Sequence, residues 1–320
     1  MECPKCKAAV STRARFCDQC GNDLARNVEF LHQKALDHYH RGMIDAAISQ
    51  WEEALAQQPE FAKGYYYKGL ALYDRGDLQL AIDAFHQALA RDGEPFRLYF
   101  KLGMAQYGLG DLQGSVQSFR KALEISPGSA ETSYRLGLSH LRMSDLEEAR
   151  RALEGAISLN PSYTRARYIL GVVLSQEGNR QEAIQQFRKV LEISPTYTAA
   201  IFELGLGLFH EGELEQAAEE FRKAIESNAR FVPALFMLGE VNRKIGDTSG
   251  AITVYQQVLA LNPKDVEAHI RLAECYIQLD FLDAAREAIG QALAINPANR
   301  EAQYLQKHLV EVKTPHKPGF

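Results

Sequence analysis

The sequence predicts an all-α solenoid, a stack of helix-turn-helix units that are each 34 residues long. Eight such units follow one another from Val28 to Asn299 without an insertion or a deletion. One position in each repeat is usually proline, and the prolines are separated by 34 residues or by multiples of 34, at Pro59, Pro127, Pro161, Pro195, Pro263 and Pro297. Gly93 and Ala229 occupy this position in the other two repeats. A small residue stands 24 positions before each place, at Ala35, Gly69, Gly103, Gly137, Gly171, Gly205, Gly239 and Ala273. A second small-residue series keeps the same period, at Ala47, Ala81, Ser115, Ala149, Ala183, Ala217, Ala251 and Ala285.

Two closely spaced cysteine pairs precede the repeats. Cys3 and Cys6 form the first pair, Cys17 and Cys20 the second, and ten residues separate the pairs. Two thiolates with two residues between them can point from one tight turn at one cation, and two such turns complete the four-sulfur shell that Zn²⁺ prefers. The segment has few large apolar side chains, so a metal would supply most of its folding free energy. Disulfides or a redox-active pair remain the alternatives.

Residues 1–27 resemble the small zinc-ribbon family, from the two cysteine pairs to Phe16 before the second pair and Gly21 after it. The resemblance implies one structural zinc ion, with the four cysteines as its ligands. Basic side chains nearby could touch phosphates, at Lys5, Lys7, Arg13 and Arg15. Acidic neighbours and the negative charge of a zinc centre with four thiolates offset them. We expect the ribbon to be a docking knob or a polar cap for the end of the repeat array.

Each repeat is predicted to be two helices joined by a tight turn. The first half places apolar residues on one stripe at helical spacing. Most copies then have a glycine that can end the first helix in the left-handed conformation, followed by a polar residue that can cap the second helix. These turns are Gly76-Asp77, Gly110-Asp111, Gly178-Asn179, Gly212-Glu213 and Gly246-Asp247. The second half has an amphipathic helical pattern, and the proline ends it.

Small residues at fixed positions allow the two helix axes of a unit to approach closely. A large side chain recurs on the second helix, and we expect it to fill the space against the following unit. These side chains are Trp51, Phe85, Phe119, Phe187, Phe221 and Tyr255. The pattern resembles the tetratricopeptide repeat, and the resemblance extends from residue 28 to residue 299.

The resemblance implies a right-handed superhelical solenoid of eight repeats. The repeats are predicted at 28–61, 62–95, 96–129, 130–163, 164–197, 198–231, 232–265 and 266–299. Residues 300–313 have the first-helix pattern alone and resemble the C-terminal capping helix that such arrays need. Residues 314–320 contain two prolines and are predicted to form a disordered tail.

An aromatic stripe recurs on the first helix of each repeat. Counted from the first residue of each repeat, the fifth position holds His32, Tyr66, Phe100, Tyr134, Tyr168, Phe202, Phe236 and Ile270. The twelfth position adds Tyr39, Tyr73, Tyr107 and Phe209. The resemblance implies that this stripe lines the concave side, where exposed aromatic surface usually marks an interaction site. The alternative is that the rings only pack between successive first helices.

We expect a partner-binding groove along this stripe. Its predicted residues are Tyr66, Tyr73, Phe100, Tyr107, Tyr134, Tyr168, Phe202, Phe209 and Phe236, with Arg97, Lys101 and Arg135 beside them. Cations next to aromatic rings suit an extended peptide or a helix with apolar anchors and some acidic residues. The function predicted from the sequence is therefore a protein-protein interaction scaffold or adaptor. The alternative is a nucleic-acid-associated regulator whose ribbon contacts DNA or RNA.

Composition argues against other classes of function. The net charge is −5 and the isoelectric point is about 6.0, so the chain lacks the basic excess of a dedicated nucleic-acid binder, and we do not expect nucleic acid as its partner. Neither a phosphate-binding loop nor a nucleophile with its base appears, so we expect no enzyme and no small-molecule substrate. No apolar run is long enough to cross a membrane. The start lacks a secretory pattern, and cysteines paired for metal indicate a reducing compartment, so we expect a cytoplasmic protein.

Overall fold

The computed structural model describes residues 1–11, 14–91 and 93–311, in which all regular secondary structure is helical. The chain divides into two compact units, Met1–Ala166 and Arg167–Phe320. The first unit contains α1 (Val28–His40), α2 (Ile44–Gln57), α3 (Ala62–Arg75), α4 (Leu78–Leu89), α5 (Pro95–Leu109), α6 (Leu112–Ile125), α7 (Ala130–Arg142) and α8 (Leu146–Leu159). Helix α9 (Thr164–Glu177) starts in the first unit and ends in the second.

The second unit continues the alternation of first and second helices. It contains α10 (Arg180–Ile193), α11 (Thr198–Glu211), α12 (Leu214–Ser227), α13 (Val232–Ile245), α14 (Thr248–Leu261), α15 (Val266–Gln278), α16 (Leu282–Ile295) and α17 (Arg300–Glu311). The predicted all-α fold of repeated helix pairs is therefore confirmed. The predicted tail at 314–320 and the last two residues of the predicted capping helix lie outside the described residues. No helix in the described ranges is both long and apolar enough to cross a membrane.

Glycine ends the first helix of most pairs, as predicted. The residues after α3, α5, α9, α11 and α13 are glycines with φ between 85° and 94°, the left-handed conformation that glycine adopts without strain. Ser144 and Asp280 take φ values of 60° and 62° at the equivalent places in two other pairs. The predicted polar caps are realised only in part. The side chains of Asp111 and Asp247 each accept a hydrogen bond from a backbone N–H at 2.9 Å, whereas Asp77 makes no such bond.

Five of the eight helix pairs close around an aromatic ring that lies on a glycine. A methyl group added to Gly69 would lie 2.6 Å from the ring of Phe85, and one added to Gly239 would lie 2.6 Å from the ring of Tyr255. The same contact recurs in the pairs of Gly103 with Phe119, Gly171 with Phe187, and Gly205 with Phe221. These rings are fully buried. The large side chain therefore packs on the small residue of its own pair in these five cases, and Trp51 also stacks on Tyr67 of the following unit, as expected.

Candidate functional site

The two cysteine pairs sit on two loops with matching geometry. The carbonyl of Cys3 accepts a hydrogen bond from the N–H of Lys7 at 2.9 Å, and the carbonyl of Cys17 accepts one from Gly21 at 2.8 Å. Lys7 and Gly21 are both left-handed, with φ values of 62° and 68°. Isolated antiparallel bridges flank the loops, from Glu2 to Ala9 and from Phe16 to Asp23. Each loop therefore turns its two thiols toward the same point.

The four sulfur atoms form one cluster. The Sγ atoms of Cys3 and Cys20 are 3.6 Å apart, and those of Cys6 and Cys17 are 3.5 Å apart. All four lie within 4.8 Å of one another. Sulfur ligands about 2.3 Å from a tetrahedral metal ion are about 3.8 Å apart. These four cysteines thus have the identity, number and spacing that a zinc ion requires.

Electrostatics indicates that the cluster needs a cation to hold four thiolates. Burial raises the pKa of the Cys3 thiol, but hydrogen bonds from the backbone N–H groups of Cys6 and Lys5 outweigh it and lower that pKa to about 6. At Cys20 a backbone hydrogen bond from Asn22 lowers the pKa, whereas burial and three neighbouring thiols raise it to about 12. The first thiolate therefore forms readily, and its negative charge opposes ionisation of the next thiol. A divalent cation removes this conflict, because it stabilises every coordinated thiolate.

The aromatic stripe is half-buried in the structure. At the fifth position five rings are partly exposed, those of Tyr66, Phe100, Tyr168, Phe202 and Phe236. Tyr134 is buried, with 8% of its surface exposed. Each half-buried ring packs on the buried ring of its own pair, with centroids 5.7 to 6.3 Å apart. His32 and Ile270 are buried. Most of these rings therefore contribute part of their surface to the core and keep the rest exposed.

A second set of aromatic residues extends this packing and was missed in the sequence. Tyr163 lies 5.1 Å from Tyr134, Tyr197 lies 5.3 Å from Tyr168, and Phe231 lies 5.1 Å from Phe202, measured between ring centroids. These residues occupy the last position of their repeats and are spaced 34 residues apart. The same periodicity that revealed the stripe could have identified them.

At the twelfth position most rings have a partner from the thirteenth position of the next first helix. Arg142 lies over Tyr107 at 5.2 Å from the ring centroid, and Lys244 lies over Phe209 at 4.2 Å. The Tyr39 hydroxyl donates a hydrogen bond to Asp74. Tyr73 is the exception, because Gly108 stands where its partner would be, and within the described residues its ring has no aromatic or cationic neighbour. Tyr73 is therefore the ring of this row that no cation or second ring covers among the described residues.

A concave pocket of about 630 Å³ lies between the first helices α1, α3 and α5. His32, Phe61, Tyr66 and Tyr67 supply its aromatic lining. Its charged lining consists of Glu29, Glu60, Lys63, Glu94 and Arg97. Glu94 pairs with Arg97 at 3.0 Å, and Glu60 pairs with Arg91 at 3.5 Å. Lys63, in contrast, has no ion-pair partner in the part of the chain that the structure describes.

The other predicted cations differ in how strongly they are already engaged. Arg135 pairs with Glu131 at 2.6 Å and lies 5.7 Å from the ring centroid of Tyr134. Lys101 is half-buried and has no ion-pair partner among the residues described. Of the four predicted cations Arg97, Arg135, Lys63 and Lys101, the two lysines are thus the ones without an ion pair among the described residues.

An ion network occupies the corresponding face of the second unit. Arg243 contacts Glu240 at 3.2 Å and Glu274 at 3.1 Å. Arg271 contacts Glu274 at 2.9 Å and Glu301 at 3.0 Å. The buried hydroxyl of Tyr255 donates a hydrogen bond to Glu240 at 2.5 Å. The sequence showed these charges only as helix faces, and the structure joins them into one cluster.

Comparisons with known proteins agree with the fold. The sequence profile described as tetratricopeptide repeat matches residues 32–93, 69–130, 134–198 and 202–256, and a second profile of the same description matches 244–309. A search of curated proteins finds no match.

Similar solved structures are also repeat proteins of this kind. The C-terminal part of a TPR repeat-containing protein from Cytophaga hutchinsonii is 18% identical and covers 75% of this chain and 98% of its own, with a TM-score of 0.68. YrrB, described as a TPR protein with an unusual peptide-binding site, is 22% identical and covers 60% of this chain and 99% of its own, with a TM-score of 0.55. A crystal structure of MamA protein is 24% identical and covers 54% and 95%, with a TM-score of 0.51. At these identities the likeness concerns the fold alone. The profile matches, however, cover most of the sequence, and the chain belongs to the tetratricopeptide repeat family.

Proposed function

We propose that the chain is a non-catalytic scaffold that binds an extended segment of a partner protein on the aromatic face of its first unit. The observation that carries this proposal is the half-buried row of Tyr66, Tyr73, Phe100 and Tyr107, on the same two helices as Lys63 and Lys101, which have no ion-pair partner among the described residues. YrrB is described as having a peptide-binding site, and we extend that mode of action to this chain. The division into a ribbon at 1–27, repeats at 28–299 and a cap at 300–313 is part of the same proposal.

Half-buried rings suit binding for a physical reason. Their buried side holds them in place, so that little conformational entropy is lost when a partner covers the open side. Tyrosine and phenylalanine then bring a large contact area with few rotatable bonds. A few such rings carry most of the affinity of an interface. We assign that role first to Tyr73, because no neighbouring ring or cation covers it.

The charges beside the rings define the partner that we expect. Lys63 and Lys101 have no carboxylate partner among the described residues, whereas Arg97 and Arg135 already pair with Glu94 and Glu131. We therefore propose a segment that combines apolar or aromatic anchors with acidic residues. In the second unit we propose a separate patch at Tyr168, Phe202, Phe209 and Phe236, where Lys244 already covers Phe209.

We further propose that the cysteine cluster holds one structural zinc ion. The four sulfur atoms fit a tetrahedral ion, and the small segment around them has little other means of folding. Metal analysis of the purified chain should give about one zinc per molecule, and the Cys17→Ser, Cys20→Ser variant should lose it. A chain that contains no metal and keeps a folded ribbon would contradict this assignment. Reduced cysteines are consistent with a cytoplasmic location, which we include in the proposal.

Contact with nucleic acid is the second candidate for the ribbon. It is favoured by the exposed ring of Phe16, which lies 5.7 Å from the guanidinium of Arg15, because an exposed aromatic with a cation can stack on a base. Oligonucleotides of single-stranded DNA and RNA, titrated at low salt, test this role. We expect no binding, and affinity that falls steeply with salt would instead favour the nucleic-acid role.

A phage-displayed library of random peptides tests the main proposal without knowledge of the partner. Selection on the full chain should enrich peptides with aromatic or aliphatic anchors and with Asp or Glu. The Tyr73→Ala, Tyr107→Ala variant should bind the selected peptides at least about tenfold more weakly, as expected for hot-spot residues. Failure to enrich any peptide sequence would contradict the proposal.

A matched control separates binding from general loss of packing. Tyr65 and Tyr99 lie on the same two helices but face other neighbours, Arg91 at 4.7 Å and Lys121 at 5.2 Å. The Tyr65→Ala, Tyr99→Ala variant therefore removes two half-buried tyrosines away from the proposed surface. We expect it to bind the selected peptides as the unmodified chain does. Equal loss in both variants would assign the effect to stability rather than to recognition.

A further inference from the structure

The first repeat helix contributes a side chain to the core of the ribbon. Phe30, in the first turn of α1, is buried together with Cys3, Cys17 and Leu24 in one cluster. The ring is 3% exposed. Two members of this cluster are metal-ligand candidates, and Phe30 is its largest side chain. The ribbon and α1 are therefore parts of one small core, although the sequence places them on two sides of a domain boundary.

Hydrogen bonds reinforce this junction. The side chain of Asn27 accepts a hydrogen bond from the N–H of Phe30 at 2.9 Å and so caps α1. From the end of α2, the Gln57 side chain donates a hydrogen bond to the carbonyl of Ala25 at 3.0 Å. Both helices of the first pair are thus tied to the last residues of the ribbon.

Helix α1 also separates two cavities. One, of about 530 Å³, lies between the ribbon and α1, where Met1, Pro4 and Lys7 face Phe30 and Asp37. The other is the pocket of about 630 Å³ between α1, α3 and α5. Glu29, Gln33 and Leu36 line both cavities. A shift of α1 would therefore change both cavities together, and the second cavity contains Tyr66 and Lys63 of the proposed partner surface.

We propose that metal in the cysteine cluster controls the partner surface of the first unit. Metal binding orders the ribbon, the ordered ribbon covers Phe30, and the covered ring holds α1 in the position that forms one wall of the pocket. Loss of the metal removes the cover from Phe30 and loosens α1, because the ribbon has little core of its own. The ribbon thus acts as a metal-dependent cap of the first helix pair. The part of this inference that concerns affinity rests on the proposed function.

The chain contains a natural reporter for this coupling. Trp51 is its only tryptophan and is fully buried in α2. Its indole N–H donates a hydrogen bond of 3.0 Å to Nδ1 of His32 on α1. Its ring also stacks on Tyr67 of α3, with centroids 6.0 Å apart. Loosening of α1 breaks the hydrogen bond and admits water to the indole.

The test compares the full chain with zinc and after treatment with a chelator. Hydrogen exchange at residues 28–40 should accelerate by on the order of tenfold or more when metal is removed, because local opening becomes easier. Trp51 emission should shift to longer wavelength. Exchange at residues 266–295 serves as an internal control and should not change. Unchanged exchange in α1 and unchanged Trp51 emission after complete metal loss would overturn the inference.

Two variants trace the route of the coupling. Phe30→Ala should keep about one zinc per chain and still accelerate exchange in α1, because the metal site remains while the contact is lost. Cys17→Ser, Cys20→Ser should reproduce the effect of the chelator. Cys275→Ser, at a buried cysteine in the second unit, controls for the loss of a thiol and should leave α1 unchanged. A Phe30→Ala chain with normal exchange in α1 would exclude this route.

Peptide affinity distinguishes failure of this inference from failure of the proposed function. If selected peptides bind the zinc-loaded chain, removal of metal should weaken binding to the first unit by about tenfold. Binding that persists unchanged without metal overturns the inference and leaves the proposed function standing. If no peptide is selected, the proposed function fails, and the exchange and fluorescence measurements still decide whether metal controls α1.

Discussion

Helices α3 and α5 of the first unit and helices α13 and α15 of the second place opposite chemistry at equivalent repeat positions. Leu70 and Tyr73 on α3 correspond to Glu240 and Arg243 on α13, and Met104 on α5 corresponds to Glu274 on α15. In the first unit these side chains form a half-buried apolar face. In the second unit they form a network of ion pairs. The same repeat therefore carries two kinds of surface.

The packing between the two helices beneath these surfaces is alike. A buried ring lies on a glycine in both places, Phe85 on Gly69 and Tyr255 on Gly239. This comparison indicates that the contact between ring and glycine maintains the helix pair, whereas the side chains at the ninth and twelfth positions of the repeat differ in chemistry. Charges in the second unit satisfy one another, whereas the rings of the first unit keep an open side. We therefore propose the main recognition surface in the first unit and expect the ion network to serve mainly stability.

The largest expected effect is shared by both regions. Gly69→Val and Gly239→Val each force a side chain into a ring at a contact of 2.6 Å, and each should lower the free energy of unfolding by about 3 kcal/mol, as overpacking does. Chemical denaturation followed by circular dichroism measures this change. Gly290→Val is the control, because nothing lies within 4 Å of that position, and it should change stability by no more than about 0.5 kcal/mol. Tolerance of valine at only one of the two buried sites would end the claim of a common scaffold.

Removal of Arg271 should break the ionic region selectively. Its guanidinium lies among Glu274, Glu301 and other carboxylates and is only 20% exposed. Arg271→Met leaves these carboxylates without their main cation and should destabilise the second unit by about 2 kcal/mol. The matched control is Arg286→Met, because its partner Asp283 is almost fully exposed and surface pairs contribute little. If both variants lose the same small amount, the network does not stabilise the unit.

The repeated features were predictable from the sequence because they are local. The glycine turns, the helix-ending prolines and the cysteine pairs depend on a few adjacent residues, and eight copies made the period plain. Asp77 shows that local sequence is not always sufficient, since it occupies the N-cap position of α4 but its side chain makes no capping hydrogen bond.

The remaining features depend on contacts between distant residues. The exposure of Tyr168 is set by Phe187 and Tyr197, and neither neighbour was part of the predicted stripe. The ion network joins charges from α13, α15 and α17 that separately resemble solvated helix faces. Phe30 belongs to the ribbon core, although the pattern of cysteines ends ten residues before it. The repeat positions of the aromatic stripe could therefore be read from the sequence, but the burial of its rings and their neighbours could not.

A pH titration should distinguish the two regions through His32. Burial lowers the pKa of His32 from its ordinary value of 6.5, Glu29 opposes this effect and Lys63 adds to it. The unfolded chain therefore binds the proton more readily, so this contribution to stability is complete above about pH 6.5 and is lost as the pH falls. Protonation also turns Nδ1 into a donor that faces the Trp51 N–H, which removes their hydrogen bond.

The stability of the first helix pair, followed through Trp51 fluorescence during denaturation, should fall by about 1 kcal/mol between pH 7.5 and pH 5.5. His32→Gln should reduce this dependence. His86→Gln, at an exposed histidine on α4, should leave it unchanged. A first pair whose stability is the same at both pH values would show that His32 is not held neutral by its surroundings.

The smallest expected effect concerns the twelfth position of the repeat, where Lys244 covers Phe209 in the second unit and no cation covers Tyr73 among the described residues of the first. Lys244→Gln removes the ammonium that lies 4.2 Å from the centroid of Phe209 and should lower stability by about 0.5 kcal/mol, the magnitude of an exposed cation–π contact. Lys264→Gln, at an exposed lysine between α14 and α15, is the control. Because the substitution removes the cation from Phe209, it should also increase binding of apolar probes to the second unit. A stable variant without added probe binding would mean that the cation does not shield the ring, and the two units would then differ only in their ion pairs.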